Sequence, residues 1–95
     1  MNNYELTVII DPDIAEEDVP NAIEGISELV KKNGGEVSET NQWGRRKLAY
    51  PIGNHREGNY VIARLSLEPS KASELETNLN LSETYLRHLL IRLAD

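Results

Sequence analysis

Ninety-five residues with a formal charge of −6 and no cysteine describe a single small domain, residues 1–95, with one modest core. The missing cysteines exclude disulfides, thiolate zinc sites and cysteine nucleophiles together. The opening Met1-Asn2-Asn3-Tyr4-Glu5 has neither the basic nor the apolar region of a secretory signal, and no apolar run approaches the ~20 residues of a membrane span, so a soluble, cytoplasmic protein is expected.

The first element is a strand over Tyr4 to Ile10, with Leu6, Val8 and Ile10 on one face and Glu5, Thr7 and Ile9 on the other. Asp11-Pro12-Asp13 ends it, because proline cannot donate to a ladder and aspartate favours turns. A helix follows through about Lys32, with Val19, Ala22, Ile23, Ile26 and Val30 in one stripe. Glu16, Glu17 and Asp18 are expected in its first turn and Lys31 and Lys32 in its last, complementing the helix dipole. Gly34-Gly35 supplies the stop.

Glu36 to about Ile52 reads as a long, mostly polar strand, with Pro51 placing its end at a sheet edge or a bulge. The turn-rich Gly53-Asn54-His55-Arg56-Glu57-Gly58 predicts a loop that returns the chain as a hairpin. The next strand, Asn59 to Leu67, alternates with Val61, Ala63, Leu65 and Leu67 inward. Pro69-Ser70 opens a helix, with Ser70 as its cap and Ala72, Leu75 and Leu79 as its buried stripe. The last segment fits a helix on Leu86, Leu89, Leu90 and Leu93, or a strand with Leu89, Ile91 and Leu93 inward and His88, Leu90 and Arg92 outward. The preceding order β-α-β-β-α favours the strand. It completes a ferredoxin-like β-α-β-β-α-β sandwich: a four-stranded antiparallel sheet with two helices on one face.

Catalytic and metal-binding signatures are missing from this chain. His55 and His88 lie on different elements without an i, i+4 partner, so no metal site is expected. Glu16-Glu17-Asp18 lacks the spaced ligands and glycine of a calcium loop. Gly34-Gly35 follows a helix rather than opening one, so it is no phosphate cradle. Neither G-x-S-x-G nor a Walker sequence occurs. No enzyme and no cofactor are expected.

Charge, however, is segregated. Residues 41–65 hold five cations (Arg45, Arg46, Lys47, Arg56, Arg64) against the single acid Glu57, a net +4 that leaves −10 on the rest of the −6 chain. The dense part is Trp43-Gly44-Arg45-Arg46-Lys47-Leu48-Ala49-Tyr50-Pro51-Ile52. Three consecutive cations beside aromatics suit phosphate contacts. A solvated edge strand whose charges discourage aggregation is the alternative.

Gly44, Arg46, Leu48, Ala49, Tyr50 and Ile52 stand at the spacing of the recurrent motif of the bacterial small-ribosomal-subunit protein six family, which this chain resembles. Tyr4-Glu5, Asp11-Pro12, Gly58-x-Tyr60-Val61 and Leu81 through Leu86-Arg87 to Arg92 extend the resemblance over nearly the whole length. The resemblance implies a ferredoxin-like domain that binds the central domain of 16S ribosomal RNA together with small-subunit ribosomal protein eighteen. It implies RNA contacts from Arg45, Arg46, Lys47, Arg87 and Arg92, and a protein interface of Trp43, Leu48, Tyr50, Pro51 and Ile52. Recognition of folded RNA through phosphates and 2′-hydroxyls is expected. With no Phe in the chain, a base-stacking platform on the third strand is poorly supplied. Asn2, Asn3, Gly53 and Asn54 stand where the family often carries basic residues, which suggests weak RNA binding without the partner. An acylphosphatase-like activity would need a phosphate-cradling loop after the first strand, where Asp11-Pro12-Asp13 is acidic. A small-molecule regulatory domain would be expected to form homodimers and bind no RNA.

Overall fold

The computed structural model describes residues 1–93. Its elements are β1 (Asn2–Ile10), α1 (Val19–Lys32), β2 (Glu36–Ile52), β3 (His55–Leu67), α2 (Pro69–Leu81) and β4 (Tyr85–Arg92). The strands form one sheet in the order β2-β3-β1-β4, with every neighbouring pair antiparallel. This is the expected ferredoxin-like sandwich.

Alternation in the two central strands builds the core. Leu6, Val8 and Ile10 of β1 and Val61, Ala63, Leu65 and Leu67 of β3 are buried on one face. They meet Val19, Ile26 and Val30 of α1 and Leu75 and Leu79 of α2 in one apolar cluster. Both helices therefore cover the same face, and the opposite face of the sheet is left open.

Helix ends depart from expectation in two places. Glu16–Asp18 forms a separate 3-10 turn rather than the first turn of α1, which begins at Val19 with Pro20 in its first turn. A proline there forfeits no helical hydrogen bond. Ser70 lies inside α2, which starts at Pro69 and is preceded by an extended Glu68. Proline at the first helical position sets the start, and the cap at Glu68, two residues earlier than the serine signal. The stop after α1 is as expected: Gly35 N–H donates to Val30 O and Gly34 N–H to Lys31 O, both at 2.9 Å, with Gly34 at φ +81°. These two bonds form a Schellman motif, which favours glycine at the left-handed position.

The expected inward face of β4 is reversed. Leu90 stands opposite Leu6, and His88 opposite Val8, so these residues share the core face. Leu89 and Ile91 are 58% and 46% exposed on the open face. Apolar residues occupy both faces of this strand, so its alternation carried no information about direction. His88 is tolerated inward because Nε2 lies 3.2 Å from Glu76 Oε1 on α2, which satisfies a polar group in a site shielded from water.

Tyr85 ties β4 to α1 by donating its hydroxyl proton to Ala22 O at 2.6 Å. Burial pushes its pKa above the ordinary 10.0, with the nearby Glu28 charge adding to the rise. Tyr85→Phe is expected to lower stability by about 1 kcal/mol in urea denaturation, the usual contribution of one such bond. Because the folded state holds the hydroxyl protonated, this group's contribution is intact below pH 10 and lost as pH rises through its raised folded value. The phenylalanine variant should lack that alkaline loss.

Candidate nucleic-acid interface

β2 and β3 form a hairpin longer than the sheet that carries it. Pairing between β1 and β3 ends at Ile10 and Asn59, while the β2–β3 ladder runs on through Arg46–Gly58 and Lys47–Glu57 to Ile52–His55. The expected six-residue loop is instead a two-residue turn, Gly53-Asn54, with Gly53 at φ +58°. Glycine at the first of two turn positions matches the type II′ geometry that suits hairpin twist. Near the tip, Leu48, Ala49, Tyr50 and Pro51 stand against the lone Arg56 in a wide bulge, as Pro51 led one to expect.

The tip leans over the open face. Arg87 Nη1 donates to Tyr50 Oη at 3.3 Å, and its guanidinium lies 5.6 Å from the Tyr50 ring centroid. Arg87 belongs to β4, at the other edge of the sheet. Beneath the tip is a cleft of about 320 Å³ lined by Thr7, Ile9, Leu48, Ala49, Tyr50, Ile52, Tyr60, Arg87, His88 and Leu89. Ile9, although it points away from the helices, is only 9% exposed.

The three consecutive cations do not act as one block. Bulges between Gln42 and Gly44, and again after Lys47, reset the register of β2. Arg46 faces the open side opposite Gly58, whereas Arg45 and Lys47 stand opposite Asn59 and Glu57 on the other side. Arg46 lies over the Trp43 ring, 5.2 Å from its centroid. Arg45 Nε donates to Glu57 Oε2 at 2.7 Å, an exposed pair that contributes little to stability but engages the guanidinium. Arg45, Lys47, His55 and Arg56 line a second, broader hollow of about 550 Å³ together with Pro12, Asp13 and Glu57.

Of the residues singled out in the sequence, Trp43, Arg46, Leu48, Tyr50, Ile52 and Arg87 gather around the hairpin end and the open face. Arg92 does not join them. It pairs opposite Tyr4 on the helix side, and its guanidinium lies 3.1 and 3.2 Å from the Asn2 amide, whose oxygen accepts from it once that amide is turned over. Ile9, Tyr60 and Leu89 are cleft residues that the sequence reading did not select. Ile9 carried a signal, as an apolar residue on the polar face of its strand, and Tyr60 another, as an aromatic on the outward face of the third strand. His55 comes within 3.9 Å of Asp11, and its ligand atoms and those of Asp11 and Asp13 lie within 4.8 Å of one another. That grouping joins the hairpin turn to the loop after β1 and was invisible in the spacing.

The helices and their connections, residues 11–34 and 68–84, hold eleven acids and three lysines. A polyanion is therefore repelled from the helical layer and met by cations at the hairpin end. No described helix is long and apolar enough to cross a membrane. The molecule is thus a ferredoxin-like sandwich with an acidic helical layer, a cationic hairpin end and an apolar cleft.

The family profile described as "Ribosomal protein S6" matches residues 3–92. The small ribosomal subunit protein bS6 of Mycolicibacterium paratuberculosis is 44% identical over 92 residues, covering 97% of this chain and 96% of that protein. Its counterpart in Saccharopolyspora erythraea is 42% identical over 92 residues, covering 97% and 78%. The crystal structure of 30S ribosomal protein S6 from Thermotoga maritima superposes with a TM-score of 0.88 at 26% identity, over 97% of this chain and 87% of that one. The chain belongs to the ribosomal protein S6 family. It is a structural component of the small ribosomal subunit, not an enzyme.

Proposed function

We propose that residues 1–95 act as one unit in the cytoplasm, binding the central domain of 16S ribosomal RNA jointly with small-subunit ribosomal protein eighteen. The observation that carries this reading is the hairpin end. It projects beyond β1 and brings cations and an apolar cleft to one end of an otherwise acidic molecule. Arg45, Arg46, Lys47 and Arg87 supply RNA contacts there. Arg92 makes any RNA contact from the helix side, at a separate point. Leu48, Pro51 and Ile52, with the cleft floor of Ile9 and Leu89, offer the protein partner an apolar anchor site flanked by charge.

A salt series with a central-domain RNA fragment tests this reading. With four or five phosphates engaged, log affinity should fall with log salt at a slope of about −3 to −4. Adding protein eighteen should raise the affinity sharply, because this chain presents few cations by itself. Equal affinity with and without that partner would contradict joint binding.

A further inference from the structure

On the helix side of the hairpin, three metal-ligating side chains from two separate parts of the chain come together. Asp11 and Asp13 lie in the loop after β1, and His55 opens β3 directly after the Gly53-Asn54 turn. His55 Nδ1 stands 3.9 Å from Asp11 Oδ1, with the two side chains only 26% and 24% exposed. That separation is beyond hydrogen-bond reach but inside the ~3.0–4.2 Å expected between two ligands each ~2.1 Å from one ion. Ligand atoms of all three side chains lie within 4.8 Å of one another, and Asp13 is exposed, so a small rotation of its carboxylate completes the set. The loop that carries the carboxylates is fixed. Asp11 N–H donates to Thr84 O at 2.9 Å, and Asp11 O accepts from Ile14 N–H at 3.2 Å. Asp11 Oδ1 also accepts from Asp13 N–H at 2.8 Å.

We infer that Asp11, Asp13 and His55 form a site for a first-row divalent cation of the Zn²⁺ class, which clips the hairpin turn to the loop after β1. The donor set selects the ion. Carboxylates alone would suit Mg²⁺ or Ca²⁺, whereas an imidazole nitrogen beside two carboxylate oxygens favours a softer dication. Asp13 and His55 also line the hollow of about 550 Å³ on this side of the hairpin, which gives a water room to act as a fourth ligand. The clip falls where the fold is least braced. β1 pairs with β3 only as far as Ile10–Asn59, so the hairpin end beyond it has no third strand. A bound ion cross-links that end to a loop anchored on Thr84, and it offsets two negative charges beside Arg45 and Lys47, which line the same hollow. The inference stands apart from the RNA reading, since the site is complete within this chain.

Calorimetric titration of the full-length chain with Zn²⁺ and, separately, with Mg²⁺ tests the site without RNA or partner protein. Zn²⁺ should bind at a single site and roughly 100-fold more tightly than Mg²⁺. His55→Ala and Asp11→Asn should each weaken Zn²⁺ binding by about tenfold or more. Asp11→Asn keeps the side-chain oxygen that accepts from Asp13 N–H, so the loop retains its shape while losing a carboxylate. His88→Gln alters the other histidine, which lies against Glu76, and should leave the affinity unchanged. At about ten times Kd, Zn²⁺ should raise Tm by about 6–11 °C, and His55→Ala should abolish that rise. Amide exchange at the hairpin turn should slow when Zn²⁺ is added. No saturable Zn²⁺ binding, or binding that survives both ligand substitutions, would overturn the site. Unchanged exchange at the turn with Zn²⁺ bound would overturn the clip.

Discussion

Replacing Arg45, Arg46 and Lys47 together with alanine is expected to weaken binding to the central-domain RNA by roughly 100-fold at moderate salt, with the salt slope shallower by about two to three units. The three positions should not contribute equally. Arg45 is held by Glu57 at 2.7 Å, so its removal exposes an unpaired acid while deleting a guanidinium that was already engaged. Arg46 faces the open side and Lys47 the other, so their single substitutions should be nearly additive, as for sites without shared partners. All three are exposed on a hairpin end beyond the core. Stability should therefore change by no more than about 0.5 kcal/mol. Single and triple variants in filter-binding titrations across salt measure this, and unchanged affinity in the triple variant would remove the block from the interface.

The core makes an equally sharp prediction. Leu6 is fully buried at the centre of the sheet, paired with Ala63 of β3 and Leu90 of β4. Leu6→Ala should cost about 3–4 kcal/mol, because it removes transfer energy and leaves a cavity that two paired neighbouring strands prevent from collapsing. In a domain stable by ~5–15 kcal/mol that is a large fraction. Leu90→Ala should cost about 2 kcal/mol, reduced by its partial exposure at the edge. Leu89→Ala, on the open face, should change stability by about 0.5 kcal/mol or less. The Leu89–Leu90 contrast in urea melts tests the direction of β4. The opposite ranking would mean the strand is turned over.

The sequence by itself determined the first five elements and most of the core, while the last segment fitted a helix or a strand and only the order of the others favoured the strand. Strict alternation in β1 and β3 left one face able to bury Leu6, Val8, Ile10, Val61, Ala63, Leu65 and Leu67, and a 3.6-residue stripe placed Ile26 and Val30 beneath them. The Gly34-Gly35 stop and the Pro51 bulge follow from backbone sterics and a missing donor, which act within a few residues. The basic block and the family motif were equally legible, being contiguous.

Tertiary structure decided what depends on register. A bulge inverts every side chain beyond it, so the facing of Arg45, Arg46 and Lys47 depended on the irregularities at Val37–Glu39 and Gln42–Gly44, which no local pattern marks. β4 is apolar on both faces, and only its pairing with β1 turned Leu90 in and sent Arg87 and Arg92 to opposite sides. The meeting of Tyr50 with Arg87, 37 residues away, depended on the length and lean of the hairpin. Local periodicity names the elements with a clear alternation or stripe and their candidate faces, and leaves an apolar run such as β4 open. Long-range pairing decides which side chains share a surface, and on this protein that surface is the candidate site.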